Sequence, residues 1–438
     1  MSESFVVIGG EGFLGSTLVK ALLVRYPSAS VASLDVVQRH FPDQLSGGSS
    51  TDRKWTFHSA DLTSLDSLSS ALSKTGATTV FHTASPWTGS GADVCEKVNV
   101  KGTQTVVNAC VKEGVKKLVF TSSAGTVYNG NDLINVDERM PFPEEVLDPY
   151  NVTKAKAEKI VLAANGKSGL LTIALRPAGI FGPGDRQALP GVMEVLKSGK
   201  TKFQVGSNEN LFDWTYVDNV VHAHLVAYER MGLSVPVTAL DTRMPPIDLT
   251  VKKRPLPTSS YRPPGLLEKE KELDPSFEND KVGDAPLLAA RNRFDQYYPD
   301  TLVQTLDLEL DEKTGLPSEI PIAGQAFFIT NGEPVPFWDF PRAVWAAYNG
   351  HEPKKTYVLP AFVGLAAAAA GEVIMGWLGK TPNLTRGKVV YSTVNRYYNI
   401  EKSRRVLGYE PIVGVEEGIK RAVAWYKENE ATMQVKKA

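Results

Sequence analysis

Phe5-Val6-Val7-Ile8-Gly9-Gly10-Glu11-Gly12-Phe13-Leu14-Gly15 is the stretch on which the fold turns. Four apolar residues make a short strand with no polar face, the pattern of a strand covered on both sides. Glycines at 9, 12 and 15 follow, and Ser16-Thr17-Leu18-Val19-Lys20-Ala21-Leu22-Leu23 continues with helical spacing. A glycine triplet alone is weak. Between a strand and a helix it permits a tight turn, close backbone approach to a pyrophosphate, and tight packing of helix on strand. Free amides and the dipole at the helix start favour an anion. The next strand, Ser30 to Leu34, ends at Asp35, 20 residues past Gly15. A carboxylate there accepts hydrogen bonds from both ribose hydroxyls and repels a 2′-phosphate, so NAD is expected over NADP. Arg39 is near enough to soften that preference.

Outward from this turn, apolar strands recur at Thr79–Phe81, Lys117–Phe120 and Leu171–Leu175, with helical segments at 98–113 and 150–165 between them. This alternation predicts an α/β fold, a doubly wound parallel sheet of the Rossmann type, with a smaller C-terminal region for substrate. Of 438 residues, 42% are hydrophobic and 22% charged, ordinary for a globular chain. A net charge of −1 gives no nucleic-acid surface. Two cysteines, Cys95 and Cys110, are too few for a disulfide framework, and no His or Cys spacing suggests a metal. No signal peptide is read at the N-terminus. Three regions are expected: 1–235, carrying cofactor and catalytic residues; 236–321, an insertion; and 322–438, for substrate. The insertion holds 12 of the 28 prolines and the charge run Glu268-Lys269-Glu270-Lys271-Glu272, and it is expected to be partly disordered. Order resumes with a strand at 326–330 and helices at 337–348 and 415–428. The apolar run 357–378 has two readings, a core helix or pocket wall, ranked first, and a helix lying on a membrane surface.

Tyr150-Asn151-Val152-Thr153-Lys154 places a phenol and an ammonium on one helix face. An ammonium close to a phenol stabilises the phenolate and lowers its pKa. YxxxK is common by chance, but here it follows Thr121-Ser122-Ser123-Ala124, which closes a strand. Ser123 is positioned to bond the same substrate oxygen, with Ser122 as a substitute. Capping is the plain alternative for both serines.

The order of glycine turn, acidic strand end, serine and YxxxK resembles the extended short-chain dehydrogenase family. Val98-Asn99-Val100-Lys101-Gly102-Thr103, Leu175 to Asp185 (LRPAGIFGPGD) and Phe212 to Val220 (FDWTYVDNV) agree with its later landmarks. Ala326 to Phe340 (AFFITNGEPVPFWDF) and Arg396-Tyr397-Tyr398-Asn399 are most similar to its 3β-hydroxysteroid dehydrogenase group, within it the sterol-4α-carboxylate 3-dehydrogenases. The likeness covers about 1–235 and 322–430. Ile8 stands where many relatives have threonine.

The resemblance implies catalysis by Tyr150, Lys154 and Ser123. It implies NAD contacts from Gly9, Gly12, Phe13, Leu14, Gly15, Asp35, Asp61, Leu62, Thr83, Ala84, Ser85, Tyr150, Lys154, Pro177 and Ile180. The activity implied is oxidation of a sterol or triterpenoid 3β-hydroxyl, with loss of CO2 when a 4α-carboxylate is present. It also implies a small sterol-like partner, peripheral contact with the endoplasmic reticulum membrane, and a homodimer through the helices at 98–113 and 150–165. Three alternatives stay open. They are a nucleotide-sugar epimerase or dehydratase, a 3β-hydroxysteroid dehydrogenase without decarboxylation, and an NADPH reductase of phenolic ketones. His82 and His222 read as packed residues, and the cysteines as buried thiols.

Overall fold

The computed structural model describes residues 3–39, 55–143, 148–241, 281–282, 285–286, 318–379, 382 and 384–435. Seven strands form the central sheet: β1 (Ser4–Ile8), β2 (Ser30–Asp35), β3 (Trp55–Ser59), β4 (Thr79–His82), β5 (Lys117–Thr121), β6 (Leu171–Pro177) and β7 (Ala326–Ile329). Their order is β7-β6-β5-β4-β1-β2-β3, and every pairing is parallel. The chain starts mid-sheet, winds to one edge, then crosses to build the other half. That reversal opens a crevice beyond the carboxyl ends of β1 and β4.

The longer helices are α1 (Phe13–Arg25), α2 (Leu65–Thr75), α3 (Thr103–Lys112), α4 (Pro149–Leu162), α5 (Ala188–Lys197), α6 (Val217–Arg230), α7 (Asp339–Asn349), α8 (Ala361–Trp377), α9 (Arg386–Thr393) and α10 (Val415–Val435). Alternation along β1 divides the core. Phe5 and Val7 join Leu18, Leu22 and Val220 from α1 and α6, whereas Val6 and Ile8 join Leu68, Val106 and Val161 from α2, α3 and α4. A strand buried on both faces must be apolar throughout, as residues 5–8 are.

The boundary expected at 322 runs through this sheet, because β7 is its edge strand beside β6. Ser234–Pro236 pairs antiparallel with Glu319–Pro321, so the insertion leaves and re-enters through adjacent strands. Its interior, 242–317, lies outside the described residues except for the paired pieces 281–282 and 285–286. The Glu268–Glu272 charge run and the disorder expected of this segment fall there.

Around the sheet's C-terminal edge, short strands Val335–Pro336, Leu211–Phe212, Arg396–Tyr398 and Leu133–Val136 form a second sheet. Gly179–Phe181 pairs with Trp214–Tyr216, and Phe203–Val205 with Tyr357–Leu359.

The reading of 357–378 as a core helix does not hold. Helix α8 buries only Gly364 and Ala368, while Phe362 is 74% exposed and Trp377 86%. Five consecutive alanines and three glycines give it little volume to insert into a core. It settles instead through Gly364, where an added methyl would press on Val205, Val389 and Leu359. Its one charge, Glu372, is neutralised by Arg386 at 2.7 Å. Among the described residues no helix is long and apolar enough to cross a membrane.

Candidate active site

The glycine turn lies at the crevice. Gly9 takes φ +81°, and a Cβ there would meet the Ala84 amide nitrogen at 2.6 Å. A Cβ on Gly15 would meet the Gly9 carbonyl oxygen at 2.1 Å. The turn and the start of α1 therefore pack as tightly as bare backbone allows. Gly12 caps α1 with no side-chain hydrogen bond, and the helix has no acidic residue in its first turn. The opening amides of Phe13 and Leu14 are thus left for an outside anion. This cradle fits a dinucleotide pyrophosphate.

Asp35 ends β2 beside the turn. Its carboxylate accepts from the Val36 amide at 2.8 Å and the Glu11 amide at 3.3 Å, yet burial still raises its pKa. Glu11, passed over in the sequence, is buried under the turn. It accepts from the Ser33 hydroxyl and the Arg39 amide, both at 2.7 Å, and so fixes the path after Asp35. A charged residue inside a glycine turn was the signal that marked it.

The remaining expected cofactor residues stand at or just beyond the carboxyl ends of the sheet strands. Thr83 and Ala84 follow β4, with the Thr83 hydroxyl donating to the Ile8 carbonyl at 3.0 Å. Ser85 donates to Asn99 Oδ1 at 3.1 Å, and Asn99 donates to Thr153 Oγ1 at 3.0 Å. Asn99 lies in a π-helical stretch, Glu96–Gly102, the kind of local unwinding that often marks functional sites. Asp61 accepts from the Thr63 amide and hydroxyl, which lower its pKa, and Leu62 packs on Gly102. Pro177 ends β6, and Ile180 sits in the strand beside Thr215.

Helix α4 begins with Asp148 accepting from the Tyr150 amide and Pro149 at its first position, a capped start that fixes where the phenol emerges. Lys154 is 1% exposed. Its Nζ donates to the Thr121 carbonyl at 2.8 Å and lies 4.8 Å from the Phe120 ring centre. Burial brings its pKa down to about 7, against the opposing pull of Glu158.

Tyr150 departs from expectation. Its pKa is raised, by burial first and by Asp148 and Cys95 after it; the Ser85 hydroxyl opposes this, and Lys154 is not among the influences. Spacing brings the two residues to one helix face, but the Thr121 carbonyl captures the ammonium.

Ser123 caps a short 3₁₀ turn, its Oγ accepting from the Gly125 amide at 3.0 Å, which leaves the hydroxyl proton to donate. Ser122 is no substitute. Its hydroxyl is buried and donates to Glu158 at 2.6 Å. Glu158 also takes the Arg176 guanidinium at 2.6–3.1 Å, tying α4 to β6. His82 is packed, Nε2 against Thr103 Oγ1 at 3.0 Å, and burial and then Lys154 push its pKa down to about 3. Both cysteines are buried thiols with raised pKa. Among the described residues no group of His, Cys, Asp and Glu is arranged to hold a metal.

Phe212, Trp214, Phe337 and Tyr391 pack ring against ring as an aromatic wall, which Tyr128 and Tyr398 join around Arg396. Phe212 and Trp214 press on Gly179, the residue before Ile180. Arg396 lies among them, its guanidinium carbon 4.2 Å from the Tyr128 ring centre and 5.1 Å from that of Tyr391.

Residues 6–242 match the 3-beta hydroxysteroid dehydrogenase/isomerase family. The chain belongs to that family. The chain is similar to a sterol-4-alpha-carboxylate 3-dehydrogenase, decarboxylating, of Saccharomyces cerevisiae, 37% identical over 97% of this chain and 98% of that one. The enzyme of the same name from Schizosaccharomyces pombe is 36% identical over 97% and 98%. The fold is shared more widely. A UDP-glucuronic acid 4-epimerase from Bacillus cereus, solved with NAD, superposes with a TM-score of 0.59 at 17% identity over 97% of this chain and 99% of that one.

Proposed function

We propose that the chain is an NAD-dependent sterol-4α-carboxylate 3-dehydrogenase that decarboxylates its product. Likeness to enzymes of that name along nearly the whole chain carries this reading, and the crevice supplies the groups the reaction needs. Gly9, Gly12, Phe13, Leu14 and Gly15 would hold the pyrophosphate of NAD, and Asp35 the adenine ribose. Asp61 and Leu62 would flank the adenine, with Thr83, Ala84, Ser85, Pro177 and Ile180 along the rest and Lys154 at the nicotinamide ribose. Bound there, NAD accepts the hydride leaving C3 of the substrate.

The protein's own part is proton handling. Tyr150 takes the proton of the 3β-hydroxyl while Ser123 donates to the same oxygen. The product is a β-keto acid. Its C4–carboxyl bond breaks, the electron pair enters the C3 carbonyl as an enolate, and CO2 departs. Ser123 and the newly protonated Tyr150 donate to the enolate oxygen, and C4 then takes up a proton. The test is to supply NAD and a 4α-carboxysterol and follow NADH and CO2 together. Equal amounts of both are expected. NADH without CO2 would mean simple 3β-hydroxysteroid oxidation, and a product without free NADH an epimerase.

The exposed face of α8 supports work at a membrane surface, that of the endoplasmic reticulum, where a lipid-dissolved sterol is presented. Co-sedimentation with phospholipid vesicles should fall about tenfold in Trp377→Ser/Phe362→Ser; equal binding would remove the membrane from the account. A homodimer through α3 and α4 fits the family resemblance and is read by sedimentation.

A further inference from the structure

We infer that the guanidinium of Arg396 receives the substrate's 4α-carboxylate and selects for it. The inference rests on the proposed function, in which the substrate carries an anion on the carbon next to the reacting one. A carboxylate entering an aromatic wall loses its water, and that cost must be offset by a placed cation.

Arg396 is placed for this. Its strand, Arg396–Tyr398, runs between Leu133–Val136 and Leu211–Phe212. The first of these neighbours continues from the turn that Ser123 caps, and Tyr128, the ring beneath the guanidinium, closes that turn. Gly125 in the same turn abuts Asn151, next to Tyr150. The second neighbour carries Phe212, which presses on Gly179 beside Ile180. The guanidinium thus lies between the segment holding Ser123 and the one carrying Ile180, an expected NAD contact.

No acid among the described residues claims it; its neighbour on the polar side is the Tyr398 phenol. Other wholly or partly buried arginines here have acids: Arg176 has Glu158, Arg139 has Asp137, and Arg404 has Glu401 and Glu410. Among the described residues no carboxylate pairs with Arg396. Burial works against its charge, and the phenols of Tyr398, Tyr391 and Tyr128 support it. Its Nε is buried with no hydrogen-bond acceptor. A flat cation held between rings keeps its plane fixed and its edge open, the arrangement suited to a bidentate carboxylate. Loss of neutral CO2 then leaves the ketone with nothing for this cation to grip, which favours product release.

The experiment compares kcat/KM for a 4α-carboxysterol and for the same 3β-hydroxysterol lacking the carboxylate, in wild type, Arg396→Met and Arg396→Lys. In Arg396→Met the ratio of the two should fall on the order of 100-fold, mostly through KM for the acid. Arg396→Lys, which keeps the charge without the fork, should lose about tenfold. A purely structural arginine would slow both substrates together, and a ratio unchanged within about threefold overturns the inference. NAD binding by fluorescence verifies the fold. If Arg396→Met binds no NAD, the ratio in Arg396→Lys decides. Wild type that oxidises only the uncarboxylated sterol overturns the inference yet leaves a dehydrogenase; wild type that oxidises neither overturns the proposed function itself.

Discussion

The α4 side of the candidate site and the aromatic wall around Arg396 are built on opposite principles. On the α4 side nearly every polar side chain is answered from within: Ser85 by Asn99, Asn99 by Thr153, Lys154 by the Thr121 carbonyl, Ser122 and Arg176 by Glu158. On the aromatic wall the Tyr128 hydroxyl, the Trp214 indole nitrogen and Arg396 Nε are buried without partners. The first wall is finished before substrate arrives, as preorganised chemistry requires. The second consists of aromatic surface whose polar atoms contribute little to folding, leaving them free to serve a ligand.

Substitutions on either wall can break or sharpen this contrast. The largest effect belongs to Tyr150→Phe, which should cut NADH formation by about 1,000-fold or more while NAD still binds; turnover near the wild-type rate would remove α4 from the chemistry. Next is Glu158→Gln. It leaves the buried Arg176 cation without its counter-charge, and a loss of about 3 kcal/mol is expected in denaturant unfolding. A loss under about 1 kcal/mol would mean that the clamp between α4 and β6 is dispensable.

His82 gives a pH test. Its folded-state pKa of about 3 lies below the ordinary 6.5, so the unfolded chain takes up the proton first as pH falls. The stability this residue contributes is present above pH 6.5 and drains away toward pH 3, with about 2 kcal/mol gone by pH 5. His82→Gln should flatten that part of the acid profile, and an unchanged slope would place the acid sensitivity elsewhere. The smallest effect is expected for Tyr128→Phe, which removes an unanswered hydroxyl and should alter stability by no more than about 0.5 kcal/mol. A loss as large as that of Glu158→Gln would erase the difference between the walls.

What could be read from the sequence follows the same divide. The glycine turn, the end of β2 and YxxxK are local patterns, each contained within one strand–turn–helix unit or one helical turn, and period alone gave them away. Lys154 shows where a local pattern stops. Spacing determines which helix face a side chain occupies, not which acceptor wins it, and here the winner was a carbonyl at the end of β5. Glu158 with Arg176, and Arg396 with Tyr128, meet only after distant strands have been laid side by side, so no window of sequence holds them. Helix α8 misled because its composition is apolar while its residues are too small to fill a core.

The seam between Ser234–Pro236 and Glu319–Pro321 has a practical outcome. Pro236 and Glu319 stand opposite each other across one antiparallel pair, so whatever joins them begins and finishes at a single spot away from the sheet's crevice. Closing such a gap costs only slowly more as the connection lengthens. A fluorescent domain with neighbouring termini, joined beyond Asp241 and before Ser318 so that Val237 and Ala239 stay packed on the core, should therefore be accepted there, making this seam the natural splice point for building a reporter into the enzyme.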